Sequence, residues 1–184
     1  MLDVNTDLIN RARMGDLEVI TALYEHYHLS VFRYLYYRVG DRHTAEDLTS
    51  EVFEKMLRFV AGFKPPSASF QSWLFQIARN LATDHFRKID VRNHLELEEN
   101  MTSNQVGVDE SVDHELTSES LRRALFKLTD EQRDVILMRF VAGMPIAETA
   151  SALSKTEDSV KGLQRRALIS LRKILSQWEV SYVR

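Results

Sequence analysis

The chain has 184 residues, 44% of them hydrophobic, and a formal net charge of −3. That length holds one large or two small domains with cores of their own, and that composition excludes wholesale disorder. The absence of cysteine excludes disulfides, thiolate metal sites and thiol nucleophiles, while 6 Gly and 3 Pro are punctuation too sparse for a sheet rich in turns. The expected fold is therefore all-α.

Charge is unevenly spread. Residues 1–90 are almost balanced, residues 91–120 carry one cationic side chain (Arg92) against eight acidic ones, and residues 121–184 carry 12 against 7. A near-neutral head, an acidic middle and a basic tail suggest two domains on a linker, with the tail facing phosphate. Residues 1–7 lack the basic and apolar stretches of a secretory signal, and no apolar run approaches the ~20 residues of a membrane helix. A cytoplasmic protein with no membrane insertion is expected.

In chain order, Asp16 can cap a helix with Ile20, Leu23, Tyr24, Tyr27, Val31 and Leu35 at helical spacing, and Gly40 can end it. Thr44-Ala-Glu-Asp47 has the form of a capping box for a second helix, with Ala45, Leu48, Val52 and Met56 inward. The other face of that helix carries Asp47, Glu51 and Glu54. Phe63-Lys-Pro-Pro-Ser67 breaks it, because neither proline fits a helix interior, and Ser69 restarts a stripe of Phe70, Leu74, Ile77 and Leu81. Periodicity fades over 92–117, read as an acidic linker. Helices resume at Leu121, and Thr129-Asp-Glu-Gln132 is another capping box, its helix ending near Gly143.

The strongest local signal lies between Pro145 and Lys173. Pro145 suits the first turn of a short helix, Ile146 to Leu153, and Ser154-Lys155 makes a tight turn. Thr156 then caps a second helix, with Glu157 and Asp158 complementing its positive end. Val160, Leu163, Ala167, Leu171 and Ile174 line one side. Lys161, Arg165 and Arg172 fall within about 40° of each other on the opposite side, flanked by Arg166 and Lys173. An apolar back and a basic front form the recognition helix of a helix-turn-helix that reads the major groove. A basic stripe alone would more often be a solvated face; the short helix, turn and capped second helix together reverse those odds.

The runs Ala45-Glu-Asp-Leu-Thr-Ser-Glu-Val-Phe53, Trp73-Leu-Phe-Gln-Ile-Ala-Arg-Asn80 with Asp84 and Arg87 beyond it, and Leu128-Thr-Asp-Glu-Gln-Arg133 point further. With the helix-turn-helix, they resemble the extracytoplasmic-function (ECF) group of bacterial RNA polymerase sigma factors, of the sigma-70 family. The resemblance implies a region 2-like helical bundle over 1–91, the acidic linker over 92–117 and a region 4-like domain over 118–184. It implies a sigma factor that binds core RNA polymerase and directs initiation at promoters by recognising −10 and −35 elements. The implied partners are the clamp and flap of the polymerase, promoter DNA and an anti-sigma protein, with no cofactor and no metal.

Carried over residue by residue, Asp47, Glu51 and Glu54 would meet the clamp. Phe63, Lys64, Ser67, Trp73, Arg79, Asn80, Arg87 and Lys88 would meet the unpaired −10 strand. Thr156, Ser159, Lys161, Gln164, Arg165, Arg166 and Arg172 would meet the −35 duplex. The chain departs from the family at Ser154-Lys155, where a turn glycine is common, at Gly162 inside the recognition helix, and at Met144-Pro145.

Other classes fit less well. His26 and His28 are two apart on a helix, pointing about 200° apart, and cannot chelate one metal. No Gly-rich phosphate loop or nucleophile elbow is present, so no enzyme is expected. The alternative is a regulator binding duplex DNA only, which would need neither the Trp73–Asn80 segment nor an acidic clamp-binding helix. An adaptor that binds proteins through both domains is a third reading.

Overall fold

The computed structural model describes residue 4 and residues 6–63, 69–97 and 115–182, with side chains in the second and third stretches given for 69–91 and 120–177. Among the described residues every regular element is helical. After α1 (Thr6–Arg13), Asp16 opens α2 (Leu17–Val39), its carboxylate accepting from the N–H groups of Glu18 and Val19. A hydrogen bond from Arg11, with those N–H groups, holds the Asp16 carboxyl below its ordinary range. Gly40 ends α2 at φ +84°, a conformation that costs a Cβ-bearing residue strain.

The second long helix, α3 (Arg42–Phe59), starts earlier than the expected box at Thr44. Asp41 is the true cap, its Oδ2 taking the Thr44 N–H at 2.7 Å. A carboxylate is the stronger acceptor for helix N–H groups, so Thr44 becomes the third helical residue. A short 3₁₀ turn, Val60–Gly62, follows. The Ser69 hydroxyl accepts from the Ser72 N–H to open α4 (Phe70–Leu97), which runs into the stretch expected to be linker. Leu23, Val31, Leu35, Val52, Met56, Leu74 and Phe75 from α2, α3 and α4 form the buried centre of this half.

In the second half, α5 (Glu115–Phe126) also begins inside the expected linker. Thr129 and Gln132 close their capping box at the start of α6 (Asp130–Ile136), which passes into a π turn, Leu137–Val141. The buried Arg133 donates to the carbonyls of Leu125 and Phe126 at the end of α5 and of Leu128 just beyond it, where helix carbonyls run short of backbone donors. Then come α7 (Ile146–Leu153) and α8 (Glu157–Tyr182). No described helix is long and apolar enough to cross a membrane.

The two halves are docked on each other, which the separated charge blocks do not foretell. The π turn packs on α2 and α7 packs on α4. At the centre, Asp134 of α6 accepts from Tyr34 Oη at 3.0 Å and Arg38 Nε at 2.9 Å through Oδ1. Its Oδ2 accepts from Arg79 Nε at 3.0 Å. Burial and the neighbouring Asp134 push the Tyr34 phenol well above its ordinary pKa. Further across the joint, Ser72 Oγ donates to Glu148 O at 3.0 Å and Gln71 Nε2 to Ala142 O at 3.4 Å. At the far end Arg122 Nη1 reaches the Gly40 carbonyl at 3.3 Å.

Candidate nucleic-acid and polymerase interface

The helix-turn-helix forms as its residues imply. Pro145 stands at the N-cap of α7, and Ser154 ends that helix in the left-handed region at φ 52° and ψ 45°. Its N–H and that of Lys155 still find carbonyls of α7, so the turn is complete without the glycine common in the family. Lys155 Nζ lies 2.7 Å from Glu131, tying the turn to α6. The Thr156 hydroxyl accepts from the Ser159 N–H at 3.2 Å and opens α8.

Along α8, Val160, Leu163, Ala167 and Leu171 are buried, while Ser159, Lys161, Arg165, Arg166, Arg172 and Lys173 are exposed. The contact from Lys161 to Asp158, 3.2 Å, is solvent-exposed and weak, so the lysine stays available to phosphate. Arg166 folds back over Gly162: a Cβ there would sit 3.4 Å from Nη1. A Cβ at Gly162 would thus meet that guanidinium only at ordinary contact distance. Ile169, 60% exposed, adds an apolar group within that basic front.

Gln164 is placed differently from its basic neighbours. It is half-buried, about 40° round from Val160, and its Oε1 accepts from Arg139 Nε at 3.2 Å. Arg139 also donates to the Met144 carbonyl. Gln164 thereby joins the recognition helix to the π turn and has given its carbonyl to that task. Arg139 went unassigned from sequence because its partner lies a full helix-turn-helix away.

The residues nominated for the −10 strand separate into three groups. Phe63 is buried, with its ring 5.9 Å from Phe70 and 5.0 Å from Trp73, so it is part of the core. Lys64 and Ser67 lie outside the described residues. Trp73 (half-buried), Asn80 and Arg87 (both exposed) recur every seven residues and fall on one line along α4. Lys88, also exposed, lies about 80° from Asn80. Asn80 has no side-chain hydrogen bond among the described residues, while Arg87 makes an exposed 3.3 Å contact with Asp84. Arg79 points about 100° away from Asn80 and is held by Asp134 of the other half.

On α3, Asp47 and Glu54 are exposed with no ion-pair partner among the described residues, and the half-buried Glu51 lies 3.4 Å from Lys55. Beside this acidic face runs an apolar groove of Ile20, Thr21, Tyr24, Phe53, Met56 and Leu57. The structure thus presents two chemically opposite surfaces: carboxylates beside an apolar groove on α3, and a basic front on α8.

Comparison with known proteins identifies the family. The family profile "Sigma-70 region 2" matches residues 23–91, and "Sigma-70, region 4" matches residues 124–173. The ECF RNA polymerase sigma factor BldN of Streptomyces coelicolor is 38% identical over 171 residues, covering 92% of this chain and 65% of BldN. The ECF RNA polymerase sigma factor SigX of Bacillus subtilis is 37% identical over 163 residues, covering 85% of this chain and 83% of SigX. In fold, the chain matches CnrH, solved in complex with the cytosolic domain of CnrY, at TM-score 0.75 and 20% identity. That match covers 95% of this chain and 99% of CnrH. The chain belongs to the ECF sigma factors of the sigma-70 family. It spans about two thirds of the length of BldN and most of SigX.

Proposed function

We propose that this chain binds core RNA polymerase and directs it to promoters, acting as a cytoplasmic, non-enzymatic initiation factor. The observation that carries this reading is one chain bearing both a capped, basic-fronted recognition helix and an acidic face on α3, within the ECF family. A duplex-binding regulator needs only the first of these surfaces.

Lys161, Arg165, Arg166 and Arg172 meet the −35 duplex, with Thr156 and Ser159 at the helix N-terminus near the phosphates. Gln164 holds the helix in place. Asn80 offers both a donor and an acceptor to an unstacked −10 base, Trp73 stiffens the helix beneath it, and Arg87 and Lys88 meet the backbone. Lys64 and Ser67, outside the described residues, are assigned to this strand by family analogy. Asp47, Glu51 and Glu54 contact a basic surface of the polymerase clamp, and the flap is the contact expected for the second half. An anti-sigma protein is the expected regulator, as the sigma factor RpoE of Bartonella quintana, similar in fold, is bound to the anti-sigma factor NepR.

Purified chain, core polymerase and a library of promoter fragments test this directly. Transcripts starting at a shared promoter sequence are expected. Band shifts of duplex DNA without any transcript would replace the reading with that of a duplex-binding regulator.

A further inference from the structure

Arg139 stands in the π turn Leu137–Val141, a rare backbone form that gathers at functional sites. Its guanidinium joins three pieces of the second half. The turn itself carries it, Nη1 donates to the carbonyl of Met144 just before α7, and Nε donates to Gln164 Oε1 on α8 at 3.2 Å. The first two pieces are firmly held: Leu137, Met138 and Met144 are buried, and the Met144 N–H donates to the Met138 carbonyl at 2.9 Å. Arg139 is thus a fixed arm against which the recognition helix is set.

The chemistry of this contact decides which way the Gln164 amide faces. A guanidinium has donors and no acceptor, so only the amide oxygen can meet it. The NH2 end is left over, and Nε2 has no hydrogen bond among the described residues. Around α8, Gln164 lies about 60° from Lys161 and about 100° from Arg165, on the flank of the basic front and not at its centre. When a helix sits in the major groove, its centre line faces base edges and its flanks face the sugar–phosphate walls.

Charge points the same way. Both partners of Arg139 are neutral, and no carboxylate pairs with it among the described residues. Its positive charge therefore stands behind the amide without a counter-charge. A hydrogen bond from a cation to an amide oxygen polarises the amide and strengthens its N–H groups as donors. Such a donor suits an anion. The base that glutamine ordinarily reads is adenine, and that contact takes both ends of the amide, one of which is already engaged here.

We infer that Arg139 is a positioning residue that aims the Gln164 N–H groups at one phosphate of the −35 duplex, making Gln164 a backbone contact without sequence preference. The contact rests on the sigma-factor reading and adds to it a residue outside the recognition helix.

The full chain with core polymerase, bound to a promoter fragment that it transcribes, tests the contact by filter binding. The probes are the natural fragment and a series in which one −35 phosphate at a time is replaced by a neutral methylphosphonate. The wild type should lose about tenfold in affinity at the phosphate that Gln164 meets. Gln164→Ala should bind the natural fragment about tenfold more weakly and be indifferent to that methylphosphonate. Arg139→Ala should share the indifference although Gln164 is present, and Arg139→Lys, which keeps a charged donor, should recover the sensitivity.

Because Arg139→Ala also removes a brace, Gln164→Glu supplies a variant that keeps it. A carboxylate still accepts from Arg139, so the thermal midpoint should not fall, but it offers no N–H. Gln164→Glu should reverse the pattern and prefer the methylphosphonate fragment, where its charge meets no phosphate. Wild-type sensitivity in Arg139→Ala, or an unreversed pattern in Gln164→Glu, would overturn the inference. So would a loss in Gln164→Ala confined to one base pair, which would make the residue a base reader. A wild-type chain that yields no transcript at any promoter would overturn the sigma-factor reading, and the contact with it.

Discussion

Consider Ser154→Gly in the turn of the helix-turn-helix. Ser154 is the only non-glycine residue with positive φ among the described residues, at +52°. Holding a Cβ in the left-handed region costs about 1–2 kcal/mol. Glycine removes that strain but gains unfolded-state freedom worth about 0.4–1 kcal/mol. The balance is a stabilisation of about 0.5–1 kcal/mol, or roughly 1–4 °C in Tm for a chain of this size. The bonds that close the turn come from backbone N–H groups and survive the change. Gly143 supplies the mirror experiment: it sits at φ +69°, and a Cβ added there would have nothing within 4 Å, so alanine meets no neighbour. Gly143→Ala should therefore lose about 0.5–1 kcal/mol for the backbone reason alone. Urea and thermal unfolding followed by circular dichroism measure both. If Ser154→Gly destabilises, or the two substitutions shift stability in the same direction, the conformational reasoning fails.

Arg133→Ala removes three hydrogen bonds to carbonyls at and just beyond the end of α5 and should cost about 3 kcal/mol or more by urea unfolding; a change under about 1 kcal/mol would show the carbonyls find other partners. The Asp41 carboxyl is held below its ordinary 3.8 chiefly by the Thr44 N–H, so its contribution is present above the unfolded value and lost as pH falls through the lower folded one. Unfolding titrations from about pH 5 to pH 2 should show that loss in the wild type and a smaller one in Asp41→Asn. Reversing charge at Asp47 and Glu51 together should abolish capture of core polymerase while leaving helical content unchanged; wild-type capture would remove this face from the interface. Arg165→Ala should weaken −35 duplex binding by about 1–3 kcal/mol if it reads a base, whereas Asn80→Ala should spare duplex binding and reduce open-complex formation, and normal promoter melting by Asn80→Ala would take that residue out of the site.

Local chemistry determined much of this protein. The caps at Asp16, Thr129 and Thr156 and the apolar stripes of α2 and α4 follow from residues within a few positions of each other. So do the short helix Ile146–Leu153 and the division of α8 into a buried and a basic side. Even the missing turn glycine was visible, although only the backbone shows Ser154 taking up the same conformation with a Cβ in place. The start of α3 was misplaced by three residues because two capping side chains stand three positions apart, and the stronger acceptor, Asp41, precedes the expected box and takes the Thr44 N–H. Tertiary structure decided the rest. Phe63 is core because Phe70 and Trp73 enclose it, and Gln164 lost its carbonyl to Arg139, 25 residues away. Helix register alone keeps Arg79 off the line of Trp73, Asn80 and Arg87, but only docking supplies its partner, Asp134, 55 residues later. Periodicity assigns a residue to a face of its own helix; which distant group then satisfies a buried charge depends on how the helices dock, and Arg38 meets Asp134 across 96 residues of chain.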